Sequence, residues 1–128
     1  MSLIVQKYGG TSVKDAERVM NVARRVCKAY DEGNDVIVVV SAQGDTTDDL
    51  IEKAREINSA PSKREMDMLL STGEQISISL LAMAIERLGR PVISLTGWQA
   101  GMTTDSKYSA ARIKTIDTER LKNEIDKR

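Results

Sequence analysis

Five consecutive branched aliphatic residues, Val36-Ile37-Val38-Val39-Val40, restrict the fold before anything else is considered. A strand wetted on one face alternates apolar and polar side chains. An unbroken run is what a strand buried on both faces needs, and such strands belong to parallel sheets covered by helices. The segments on either side fit that frame. Leu3-Ile4-Val5 reads as a shorter buried strand that runs into the turn Lys7-Tyr8-Gly9-Gly10-Thr11-Ser12. Between the two strands, Ala16, Val19, Met20, Ala23, Val26, Cys27 and Tyr30 recur at three- and four-residue intervals. This is one apolar helix stripe, opened by the capping-box-like Ser12-Val13-Lys14-Asp15 and stopped near Gly33-Asn34.

After the turn Ser41–Thr47, a second helix carries Leu50, Ile51, Ala54 and Ile57 and is broken at Ser59-Ala60-Pro61. Ser62-Lys63-Arg64-Glu65 is a capping box. It opens a long helix with Met66, Leu69, Leu70, Gly73, Ser77, Leu80, Leu81, Ala84, Ile85 and Leu88 on one face, ended by Gly89 and Pro91. Val92–Leu95 is the expected third strand, followed by a loop from Thr96 to Asp105. Ala111 to Ile116 suits a short strand, and Thr118 to Arg128 a charged amphipathic helix. The order β-α-β-α-α-β predicts an α/β fold, a mostly parallel sheet with helices on both faces. The chain stops on a helix where another strand would normally follow, so the sheet is expected to be incomplete at its C-terminal end. An incomplete sheet has an open edge that favours self-association.

Composition removes several function classes. Nineteen basic residues balance nineteen acidic ones, so no net field points to nucleic acid or an anionic membrane. With no histidine, Ser-His-Asp and Cys-His catalysis are excluded, and a single cysteine leaves neither a disulfide framework nor a thiolate zinc site. No run of consecutive apolar residues approaches the ~20 of a membrane span, and the start of the chain does not read as a signal peptide. The cytoplasm is the expected compartment.

In open parallel sheets ligands gather at the carboxyl ends of the strands. The turns Lys7–Ser12, Ser41–Thr47 and Thr96–Thr104 would all stand there. Gly9 and Gly10 allow backbone N–H groups to approach an anion, and Lys7 adds a mobile positive charge suited to phosphate oxygens. Neither the Walker A spacing nor G-x-G-x-x-G is present, and an ordinary strand-to-helix turn with a solvated lysine explains the same residues. Ser41, Asp45, Thr46 and Thr47 are short polar groups able to hold a small ligand, although on pattern alone Thr46 or Thr47 capping a helix that starts at Asp48 is the favoured reading, since it explains these residue types fully. Gly73 lies mid-helix on the apolar stripe, where glycine costs about 1 kcal/mol against alanine, so something is expected to pack closely there. Glu74, at the edge of the stripe, either holds an ammonium group or is simply solvated.

These segments together resemble the aspartokinases of the amino acid kinase family. The opening is similar to the family's K-[FY]-G-G-T-S, and Val38–Ala42 with Gly44–Asp48 to its second signature. Met66-Asp67-Met68-Leu69-Leu70-Ser71-Thr72-Gly73-Glu74-Gln75 resembles the third; Ser94–Gly97, Gln99–Gly101 and Thr104-Asp105 resemble the fourth, followed by Ala111–Ile113. Four motifs in order over nearly the whole chain are more specific than any one. The resemblance implies ATP-dependent phosphorylation of the L-aspartate side chain, with Mg²⁺, to β-aspartyl phosphate, the opening step towards lysine, threonine and methionine. It implies that Lys7, Gly9, Gly10 and Ser41 sit at the phosphates and that Thr47 and Glu74 hold aspartate, beside Thr46 and Asp45. Lys14, Gln43 and Trp98 depart from the family pattern. Residues 1–128 would be the N-terminal portion of the catalytic domain, without its nucleotide-binding half or ACT regulatory domains. The fragment is therefore expected to be inactive alone, and the full-length protein to be a homo-oligomer. The alternative is a non-catalytic kinase-like lobe that serves binding or assembly.

Overall fold

The computed structural model describes residues 2–105 and 112–127. Its core unit is a strand, a helix and a parallel strand. β1 (Leu3–Tyr8) pairs in parallel with β2 (Asp35–Val40), in a register that sets Leu3 beside Asp35 and Tyr8 beside Val40. α1 (Ala16–Asp31) crosses between them. β1 runs to Tyr8, which places Lys7 inside the strand and not in the turn after it. A short 3-10 turn at Gly10–Val13 follows, and Asp15 caps α1 by accepting a hydrogen bond from the Arg18 N–H at 2.9 Å. The expected cap at Ser12 is displaced because the 3-10 turn delays the helix by three residues.

α2 (Thr46–Ile57) and α3 (Lys63–Arg87) come next. The Ser62 hydroxyl accepts from the Glu65 N–H at 3.2 Å, as the capping box requires. Val13, Val19, Val22, Ala23, Val26 and Cys27 meet Val40 and, from α3, Leu81, Ala84 and Ile85. Each valine, leucine or isoleucine among them contributes about 1.5–3 kcal/mol when fully buried. α3 is the one described helix long and apolar enough, by length and composition, to cross a membrane. It was not evident as a continuous run because polar residues interrupt it; here it packs on α1 and α2.

The expected α/β class holds, and the chain stands as an incomplete piece of it. Both helices that touch β2 lie over its Val36, Val38 and Val40 face. The other face is open among the described residues: Leu3, Val5 and Val39 are 57%, 62% and 46% exposed. Val92–Leu95 is a departure from expectation. Val92 packs against the core, but among the described residues no strand pairs with this segment, so it forms no ladder. A second departure is β3 (Met102–Thr104), within the supposed loop, which pairs antiparallel with β4 (Ile113–Ile116). α4 (Glu119–Lys127) closes the described chain. Ala111 and Arg128, which the sequence reading included in the last strand and helix, lie outside the described residues.

Candidate functional site

Parallel pairing brings the carboxyl ends of β1 and β2 side by side, so the turns that leave them are neighbours by construction. Their backbones are bonded together. The Ser41 N–H donates to the Tyr8 carbonyl at 3.2 Å, and the Gly44 N–H donates to the Gly10 carbonyl at 3.0 Å. Side chains add to the seam: the Gln43 amide donates to the Val13 carbonyl at 2.8 Å, and the Lys14 stem lies along Gly44. Gly44 has φ of +43°, which the tight reversal between Ser41 and α2 requires.

The two glycines of the first turn do different work. A Cβ at Gly10 would stand 2.5 Å from the Ala42 carbonyl oxygen and 3.2 Å from the Gly44 nitrogen, so glycine lets the turns touch. At Gly9 a Cβ would meet nothing within 4 Å. Gly9 therefore faces open space at the end of β1, room that an anion can enter. Lys7 is exposed on the uncovered face of the same strand end. The 3-10 turn adds a cation the sequence reading passed over: Arg18 donates to the Thr11 carbonyl at 2.9 Å, beside the turn.

The second turn delivers α2 two residues earlier than expected. Thr46 and Thr47 are inside its first turn, and the cap position falls to Asp45, whose side chain makes no capping bond. The helix entrance is thus bare. The Thr46 N–H donates to the Gln43 carbonyl at 2.8 Å, and the next N–H bonded at this end of the helix is that of Asp49, to the Asp45 carbonyl at 3.0 Å. The N–H groups of Thr47 and Asp48 find no acceptor among the described residues, and they point outward at the positive end of the helix dipole. Helix capping by Thr46 or Thr47 does not explain these residues.

Gly73 answers its sequence signal. A Cβ there would lie 3.0 Å from the Ala42 Cβ and 3.5 Å from the Thr46 Cγ2, so α3 runs directly against the second turn and the start of α2. Ser77, fully buried one turn on, donates to the Gly73 carbonyl at 3.4 Å. Glu74 follows Gly73 on an exposed face of α3. Gly9, Gly10, Ser41 and Asp45 thus occupy two bonded turns, Lys7 lies at the end of the strand before the first, Thr46 and Thr47 open the helix after the second, and Glu74 borders them through the contact at Gly73. The third turn does not join by any hydrogen bond among the described residues. It is closed on itself, with Thr96 and Gln99 exchanging bonds at 3.0 and 3.2 Å. No three histidine, cysteine, aspartate or glutamate side chains stand together as a metal cluster among the described residues.

A family model described as the amino acid kinase family matches residues 2–128. The aspartokinase of Geobacillus stearothermophilus is 57% identical over 126 residues, which are 98% of this chain and 31% of that protein. Aspartokinase 2 of Bacillus subtilis (strain 168) is 51% identical over 127 residues, 99% of this chain and 31% of that protein. Among solved structures, the crystal structure of aspartate kinase from Synechocystis matches with a TM-score of 0.73 and 54% identity, over 76% of this chain and 17% of that one. The chain therefore spans about 31% of the length of the curated relatives it matches.

Proposed function

The chain belongs to the amino acid kinase family, and on that premise we propose that it is part of an aspartate kinase, which moves the γ-phosphoryl group of ATP onto the side-chain carboxylate of L-aspartate. A carboxylate oxygen forms the new bond to phosphorus as the bond to the ADP oxygen breaks, giving β-aspartyl phosphate and ADP. Such a transfer asks for positioning and charge neutralisation, not for an acid–base histidine.

The observation that carries the reading is the bonded pair of turns. The open approach at Gly9 and the exposed Lys7 beside it suit the polyphosphate of ATP. Gly10 and Ser41 hold that approach in place. The free N–H groups at the start of α2 suit a carboxylate of aspartate, with Thr47 at hand, Thr46 and Asp45 as neighbours, and Glu74 as the partner for its ammonium group. The described residues offer no carboxylate cluster for Mg²⁺. The ion would be held mainly by phosphate oxygens, and no step is assigned to it.

The test belongs in the native polypeptide that carries this sequence. Glu74→Gln is expected to raise the KM for aspartate about tenfold or more, with a smaller effect on kcat. Lys7→Ala is expected to lower kcat about a hundredfold. The 128-residue chain alone is expected to show no turnover. A native polypeptide with no ATP- and aspartate-dependent turnover would remove the proposal in favour of a non-catalytic lobe.

A further inference from the structure

A trans peptide points its C=O and the following N–H in opposite directions, so a carbonyl held on one side fixes an N–H on the other. In the first turn three successive carbonyls are held. The Gly9 carbonyl accepts from the Ser12 N–H at 3.1 Å, and the Gly10 carbonyl accepts from the Gly44 N–H at 3.0 Å. The Thr11 carbonyl accepts from no backbone N–H among the described residues; the Arg18 guanidinium holds it, at 2.9 Å. Opposite the first two carbonyls, the N–H groups of Gly10 and Thr11 find no acceptor among the described residues. Consecutive free N–H groups of this kind make a concavity that favours an anion.

Of the three contacts, only the one to Thr11 is made by a side chain. Arg18 reaches it from the first turn of α1, seven residues on. Asp15 aims the arginine: its Oδ1 accepts from the Arg18 N–H at 2.9 Å, and its Oδ2 lies 3.9 Å from the Arg18 Nε. The Thr11–Ser12 peptide is therefore held at both ends, its C=O by Arg18 and its N–H by the Gly9 carbonyl. Rotation of that plane would break the bond from Ser12 and free the Gly9 carbonyl to turn its negative end toward an incoming phosphate. The Arg18 and Asp15 side chains are 44% and 50% exposed, so their pairing adds little to stability.

Resting on the reading of the chain as part of an aspartate kinase, we propose that Arg18 is a positioning residue for ATP. Its guanidinium, bound to the Thr11 carbonyl, keeps the Gly10 and Thr11 N–H groups turned out toward the polyphosphate. Arg18 acts through the backbone of the turn and not by touching the nucleotide.

Steady-state kinetics of the native polypeptide and its Arg18 variants tests the assignment. Arg18→Met keeps the stem and removes the donor; it is expected to raise the KM for ATP about tenfold, with the KM for aspartate unchanged and kcat little affected. Arg18→Lys keeps a cationic donor on a stem of similar length and is expected to recover most of that loss. Arg24→Met removes a positive charge from the same helix, where Arg24 donates to Asn21, and is expected to leave the KM for ATP at the parent value. The urea midpoint of Arg18→Met is expected to stay close to the parent's. A parent that turns over normally while Arg18→Met keeps its KM for ATP overturns the role of Arg18 and leaves the kinase reading standing. Equal rises in KM for both substrates, or a lysine that recovers nothing, also overturn it. Absence of turnover in the parent is instead the failure of the kinase reading, and the role of Arg18 falls with it.

Discussion

At the scale of single residues, the pair Gly9-Gly10 separates what the fold needs from what a ligand would need. Gly10→Ala drives a methyl against the Ala42 backbone, which cannot move aside cheaply, and is expected to cost about 1–3 kcal/mol in urea unfolding. Gly9 has φ −78° and ψ 172°, which alanine adopts freely, and open space beside it. Gly9→Ala is therefore expected to leave stability unchanged or raise it by about 0.5 kcal/mol. If Gly9 faces phosphate, the same change is expected to weaken ATP binding in the native polypeptide, read by calorimetric titration. Equal losses of stability from both substitutions would contradict this division of roles. The sequence marked both glycines but could not distinguish them, because the distinction lies in the distance to Ala42, thirty-two positions away. Gln43 and Lys14 are similar cases. Both stood out as departures from a family pattern, and both turn out to tie the first two turns together.

At the scale of elements, the helices were the most legible part of the chain. Periodicity and caps are local, and α3 begins at Lys63 directly after its Ser62 cap. Ser62→Ala is expected to lower stability by about 1 kcal/mol, visible as a lower urea midpoint at constant slope. No change in midpoint would mean that the cap bond adds nothing in this setting. The elements misread were those whose existence depends on a partner. Val92–Leu95 has strand composition yet pairs with no strand among the described residues, and Met102–Thr104 became a strand only because Ile113–Ile116 lies opposite. The start of α2 was misplaced by two residues because Thr46 and Thr47 have the composition of caps, while packing of Thr46 on Gly73 draws them into the helix. The stripe on α1 was read correctly over Val19, Ala23, Val26 and Cys27, but Val22 and Ala29 are buried beside it and Ala16 is exposed.

At the scale of the whole molecule, the far ends of α1 and α3 are clasped by one ion pair. Arg90, just beyond α3, holds Asp31, the last residue of α1, through Nε at 3.1 Å and through a second guanidinium contact. The hydrogen bond from Arg90, with its positive charge, holds the Asp31 carboxyl below the usual carboxylate range. A depressed carboxyl contributes stability that is present above its unfolded value, about 3.9, and fades as pH falls through the lower folded value. Asp31→Asn is thus expected to unfold more easily than the parent at pH 6. The gap should close as pH drops below about 4, measured by urea unfolding at each pH. Because both groups are largely exposed, the gap is expected to be small. A gap that widens in acid would mean that the clasp acts through something other than this charge. Beneath it, burial raises the Cys27 thiol, the Arg90 charge opposes that and Asp31 adds to it.

The seam between the first two turns has a consequence for how such a chain can drift over generations. Since the Gly44 N–H rests on the Gly10 carbonyl and Gly10 fits under Ala42, neither loop has a mutational history of its own. A residue inserted in one displaces the other, and a harmful change at residue 10 finds its suppressors among residues 42 to 44 before anywhere else. Selection acting on either loop is felt as selection on both, and the pair is inherited as a single character.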